Sequence, residues 1–109
     1  FRNSVISNNS MVRSDLSLAN FVQAVVSDSD FGSSNLGNAD FYGSKISNLK
    51  FIKSYLKDAD FRNSVINLVT FYNSNLQYAN LENSSIIDSK FSNSKFTGTN
   101  LSNVRLQNS

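Results

Sequence analysis

The 109-residue chain contains no Cys and no His. The first absence excludes disulfides and thiolate chemistry. Together the two remove the commonest general base, the thiol nucleophile and most transition-metal ligand sets. Pro and Trp are absent as well. Charge of one sign is scarce: ten basic against eight acidic residues leave a formal net charge of +2. That is too mild to announce a nucleic-acid or membrane partner by electrostatics alone. No apolar run approaches the ~20 residues that a membrane-spanning helix needs, so no membrane role is expected. Enzymatic activity is not expected either, and no cofactor or resident metal is called for.

Ser and Asn are abundant, a composition that on its own suggests disorder or low complexity. The placement of the apolar residues contradicts that. Every fifth residue from Phe1 is large and apolar, through Ile6, Met11, Leu16 and Phe21 to Leu101 and Leu106. All nine Phe and the only Met fall on this series, and none of the four Tyr does. With these central residues called i, the residues at i−2 are small. They include every Ala of the chain, and most of the others are Ser; the exceptions are Asn9, Leu49, Val69, Thr99 and Val104. No charged residue occupies either phase. Two positions of each five therefore face inward and three face solvent.

A period of five fits neither an α-helix nor a single strand. It fits a chain that runs straight briefly, turns a corner and repeats, with Asn, Asp, Gly and Ser serving the corners. The identity of i adds a second period of 20 residues. Phe1, Phe21, Phe41, Phe61, Leu81 and Leu101 make one column (side A), and Ile6, Val26, Ile46, Ile66, Ile86 and Leu106 the next (side B). Met11, Phe31, Phe51, Phe71 and Phe91 form side C, and Leu16, Leu36, Leu56, Leu76 and Phe96 form side D. Four repeats per coil follow, with like residues stacked on like. About five and a half coils at ~4.8 Å each give a rod roughly 26 Å long. The oversized Leu49 and Val69, consecutive at i−2 of side C, are expected to distort that wall locally.

The triplets Ala19-Asn20-Phe21, Ala39-Asp40-Phe41, Ala59-Asp60-Phe61 and Ala79-Asn80-Leu81 resemble the A-(D/N)-(L/F)-x-x signature of the pentapeptide-repeat family. The resemblance covers residues 1–109 as a single domain and implies an all-β fold, a right-handed quadrilateral (four-sided) β-helix solenoid. It says less about function. Some members resemble B-form DNA, bind type II topoisomerases and protect them from quinolones or toxins. Others are segments of larger bacterial proteins, including secreted effectors, so a bacterial cytoplasmic or secreted setting fits the resemblance. DNA mimics are strongly acidic and this chain is slightly basic, with Lys45, Lys50, Lys53, Lys57 and Arg62 across its middle. The register also runs unbroken, without capping elements, and the chain opens at Phe1 rather than Met. The expectation is a fragment or module of a longer chain, self-association through the uncapped ends, or a designed or idealised repeat scaffold.

Several residue groups invite a functional reading. The serines Ser14, Ser34, Ser54, Ser74 and Ser94 form one repetitive column and read as small corner residues bonded to backbone rather than as nucleophiles. Asn20, Asp40, Asp60, Asn80 and Asn100 form a polar column in which Asp40 and Asp60 could hold a hard cation. Solvated turn residues with backbone bonding are the simpler reading. The basic group from Lys45 to Arg62 is spread over several sides and interrupted by Asp58 and Asp60, whereas nucleic-acid binding normally uses a denser stripe with stacking aromatics. The outward phases of side C should present Val12, Ile52 and Tyr72 in one column, with Lys53 and Tyr55 close by. A second apolar column, Val5, Val25 and Val65, lies on side B, where β-branched residues simply suit strands. Clustered exposed apolar and Tyr side chains mark recognition surfaces. The leading expectation is thus a non-enzymatic protein-interaction or structural spacer module presenting side C to a protein partner.

Overall fold

A computed structural model describes all residues 1–109. Six short strands, β1 (Val5–Ser7), β2 (Val25–Asp30), β3 (Lys45–Lys50), β4 (Val65–Asn67), β5 (Ser85–Ile87) and β6 (Arg105–Gln107), form one parallel sheet in chain order. Its register pairs each residue with the one 20 positions later, as Val25 with Lys45 and Lys45 with Val65. This sheet is side B, with β2 and β3 running on into side C as far as Asp30 and Lys50. The other three sides carry single parallel bridges at i−1, such as Asp40 to Asp60, Tyr55 to Asn75 and Thr70 to Lys90. The result is a parallel β-solenoid of four walls, measuring 29 × 24 × 24 Å. No helix of this chain is long and apolar enough to cross a membrane.

One repeat accounts for all five of its backbone donors, which is why the fold tolerates so much polar sequence. In Ala59–Asn63, the Ala59 N–H closes a turn onto Leu56 O (3.1 Å), and Asp60 N–H donates to Ala39 O of the preceding coil (2.9 Å). Phe61 N–H donates to Asn80 O (2.7 Å) and Asn63 N–H to Glu82 O (3.1 Å), both in the following coil. The remaining donor, Arg62 N–H, bonds the Asp60 side chain (3.0 Å). An Asn or Asp at i−1 therefore completes the count.

The residue at i+2 has positive φ in every repeat, from Asn3 (56°) to Asn108 (51°). Asn, Asp and Gly fill most of these sites because they tolerate the left-handed region. Leu18, Leu68 and Tyr78 adopt it too, at φ near 60°. The repeating hydrogen bonds on both flanks impose the corner there against local preference.

The interior is filled. Phe21, Phe31, Phe41, Phe51, Phe61 and Phe71 are fully buried. Side A stacks its rings face to face, 4.9, 4.6 and 4.7 Å between centroids from Phe1 through Phe61. The rings of sides A and C meet edge to face across the core, as Phe41 with Phe51 at 6.2 Å and 84°. Such pairs add about 0.5–1.5 kcal/mol beyond area burial. Leu49 and Val69 do not break wall C. Thr70 N–H still reaches Leu49 O at 3.0 Å and Lys90 N–H reaches Val69 O at 2.9 Å. The adjustment falls on the rings instead: Phe31 and Phe51 are tilted by 35°, against 18° for Phe51 and Phe71 and 5° for Phe71 and Phe91. Side chains can rotate at less cost than a paired ladder can open.

The inward serines divide into two kinds. Ser54 Oγ donates to Phe31 O (2.8 Å), and Ser74 and Ser94 make the equivalent bonds to Phe51 O and Phe71 O. Ser44 and Ser84 are buried with no partner for the hydroxyl. Ser44→Ala is expected to leave stability unchanged or raise it, since Ala24 already fills the same column, whereas Ser54→Ala should cost about 1 kcal/mol. Urea denaturation of the two variants side by side measures the difference.

Candidate functional site

The ladder between coils uses most backbone groups of the walls, so a partner reads chiefly the outward side chains. Those at i+1 and i+2 stand on corners, and those at i−1 lie on the flat of each wall. Val12, Ile52 and Tyr72 share the i+1 column on the corner between sides C and D, together with Gly32 and Ser92. Val12 and Tyr72 are exposed, at 43% and 41%, while Ile52 is half-buried. Lys53 is exposed beside Ile52 at i+2, with φ 57°.

Tyr55 is exposed too, but it belongs to the flat of wall D rather than to the corner column. Its ring lies over Gly37 and Asn35 of the preceding coil, where a Cβ on Gly37 would come within 3.0 Å of it. The expected residues thus share one edge of the rod without forming one contiguous apolar patch. Between the corner column Lys53, Asn73, Asn93 and the wall D column Tyr55, Asn75, Lys95 runs an open groove of about 310 Å³, floored by Ser54 and Ser74. Lys53 and Tyr55 stand out as surface candidates in the sequence, but the groove does not, because Asn75 and Lys95 join them only through the coil stacking.

A second aromatic, Tyr78, was not singled out from sequence. It stands at i+2 of side D and lies over Gly98, which leaves no room for a Cβ there and has φ 70°. Lys57 Nζ sits 5.6 Å from the centre of the Tyr78 ring. The signal available was the pairing of Tyr78 with a Gly 20 residues later.

The side A column does the work of turns. Asn20, Asp40, Asp60, Asn80 and Asn100 each accept from the backbone N–H two residues on, at 2.9–3.0 Å. Asp60 is also held by Arg62, whose Nη2 lies 2.6 Å from Oδ2 and whose Nε donates at 3.0 Å. Partial burial pushes the Asp60 carboxyl up, but the Arg62 hydrogen bonds and charge together hold it below its ordinary value. The Arg62 guanidinium lies 5.6 Å from the centre of the Tyr42 ring. Asp60 is thus engaged by its own chain, and no group of three or more acidic side chains gathers as a metal site would require.

Fold and surface define a class of protein: a solid four-walled solenoid of five-residue repeats whose variable content is confined to its corners and flats. The pentapeptide-repeat family model matches residues 27–63 and 67–103 with eight copies of the repeat. The chain belongs to the pentapeptide-repeat family. In shape it is similar to a pentapeptide repeat protein of the Arabidopsis thaliana thylakoid lumen, with a TM-score of 0.72 and 20% identity over 94% of this chain and 65% of that one. It is also similar to HetL, a pentapeptide repeat protein involved in heterocyst differentiation regulation in the cyanobacterium Nostoc, with a TM-score of 0.61 and 17% identity over 95% of this chain and 60% of that one. The chain spans less than two thirds of the length of either relative. No curated protein matches it by sequence. These likenesses establish the fold.

Proposed function

We propose that this β-helix is a non-enzymatic protein-interaction or spacer module that presents the corner between sides C and D to a protein partner. The observation that carries the reading is the exposure of Val12, Tyr72, Lys53 and Tyr55 along one edge of a rod whose interior is closed by its own side chains. Tyr at such an edge offers a large rigid contact at low entropic cost. A DNA-mimicking reading needs an acidic wall, and in the column with two adjacent aspartates Asp60 is already paired with Arg62.

A photo-crosslinking amino acid placed at position 72 tests the reading, with the same group at position 102 on the corner between sides A and B as control. The expected result is a discrete protein adduct in the native host from position 72 and none from position 102. Equal labelling from both, or none from either, removes the C–D corner as the interaction surface.

A further inference from the structure

Resting on that reading, we infer that the groove between the C–D corner and wall D takes an acidic, extended polypeptide segment laid along the rod. Its lining carries two cations, Lys53 and Lys95, and no acidic side chain. The chain's two ion pairs are Lys57–Asp58 and Arg62–Asp60, so both groove lysines keep their charge available for a ligand. A separate groove on the corner between sides B and C is lined by Asp28 and Asp30 beside Lys50, so its charges oppose one another. The single sign of the Lys53–Lys95 groove is what points to an anion.

The spacing points to a chain rather than a lone ion. Lys53 and Lys95 lie two coils apart along the axis, roughly 10 Å at the usual spacing of paired strands. An extended segment of the polyproline II kind advances about 3.1 Å per residue with three residues per turn, so carboxylates three residues apart lie on one face about 9 Å apart and reach one lysine each. Between them the groove offers carboxamides. The Asn75 Oδ1 accepts from Gln77 N–H, which turns the donor end of that amide outward. The Asn73 and Asn93 side chains make no hydrogen bond within the protein, so each offers both a donor and an acceptor. Alternating donors and acceptors match a peptide backbone, whereas phosphate and sulfate groups present acceptors alone. The serines of the floor do not compete, because the Ser54 and Ser74 hydroxyls are turned inward onto backbone carbonyls. Half-buried Ile52 and exposed Tyr72 flank the groove and give apolar contact to a side chain between the two carboxylates.

The test is fluorescence anisotropy of the full chain with a labelled oligo-glutamate peptide, a heparin fragment and a single-stranded oligonucleotide, each at low and moderate salt. The expected result is salt-sensitive binding of the peptide in preference to the other two. Lys53→Gln with Lys95→Gln should weaken it at least about tenfold. Lys45→Gln with Arg105→Gln, which removes the same charge from side B, should change it less than about twofold. Equal losses from the two double variants would reduce the effect to net charge and overturn the groove. Tighter binding of heparin or of the oligonucleotide overturns the polypeptide assignment, and absence of peptide binding overturns the proposal outright. Because position 72 crosslinking reads the C–D corner without assuming an acidic partner, a discrete adduct there alongside failed peptide binding would reject this inference and keep the broader one. Far-ultraviolet circular dichroism of each variant verifies that these surface changes leave the solenoid folded.

Discussion

Phe51→Ala is expected to destabilise the rod by about 3–5 kcal/mol, toward the upper end of that range. Phe51 is fully buried, with Phe31 and Phe71 on either side of it in its column at 5.4 and 5.2 Å and the edges of Phe41 and Phe61 at 6.2 and 6.5 Å. Removing it forfeits four aromatic neighbours at once. The cost of such a change depends on how far the surroundings collapse into the space. Here they cannot follow far, because coil spacing is fixed by the backbone ladder on all four walls. Phe1→Ala supplies the comparison within the same kind of column: Phe1 is 52% exposed and stacks only on Phe21, so its loss should cost much less. Urea titration of both variants measures the difference. At about 4–8 °C per kcal/mol for a domain of this size, the midpoint of Phe51→Ala should fall by at least about 12 °C. Equal losses for the two variants would mean that the stacked core does not set stability.

Asn73→Pro should be comparably damaging for a reason unrelated to the core, at about 3 kcal/mol or more. Asn73 has φ 55°, a region the proline ring cannot enter, and its N–H donates to Ser92 O at 3.0 Å in the next coil. The substitution conflicts with both. Asn73→Gly keeps the donor and accepts the dihedral, so its effect should be small. Each coil leans only on its neighbours, so the break is expected to be local: coils on either side of residue 73 lose their coupling before the rod as a whole unfolds. Amide hydrogen exchange should show faster exchange around residues 70–95 in the proline variant, with the first coils protected as before. Proline and glycine variants of equal stability would show that the corner conformation is not enforced.

Most of the fold was legible because inward positions leave a strict record. The column of Phe on side A, the aliphatic column on side B and the small residues at i−2 each follow from what fits inside a four-walled rod, and the 20-residue register follows from them. The turn column at Asn20 and Asp40 was legible in kind, as residues bonded to backbone; its specific duty to the N–H two residues on required coordinates. The distortion expected at Leu49 and Val69 fell on ring tilt rather than on the wall, because a period in sequence does not say which degree of freedom is softest. The candidate surface was legible only in outline. Ile52 is half-buried and Tyr55 lies over Gly37 because outward side chains settle against residues of the neighbouring coil. A groove bounded by Lys53 and Lys95 spans three coils and leaves no local signature.

The unvarying register of this sheet also makes it a graduated ruler. Each residue pairs with the one 20 positions on, along the whole chain. Inserting or deleting one 20-residue coil would therefore displace everything beyond it by about 4.8 Å along the axis and leave each side facing the direction it faced before. Five residues would instead turn the remainder by a quarter of a revolution. Distance and bearing are thus written into chain length in separate increments, and a binding edge can be moved outward in even steps without being re-aimed.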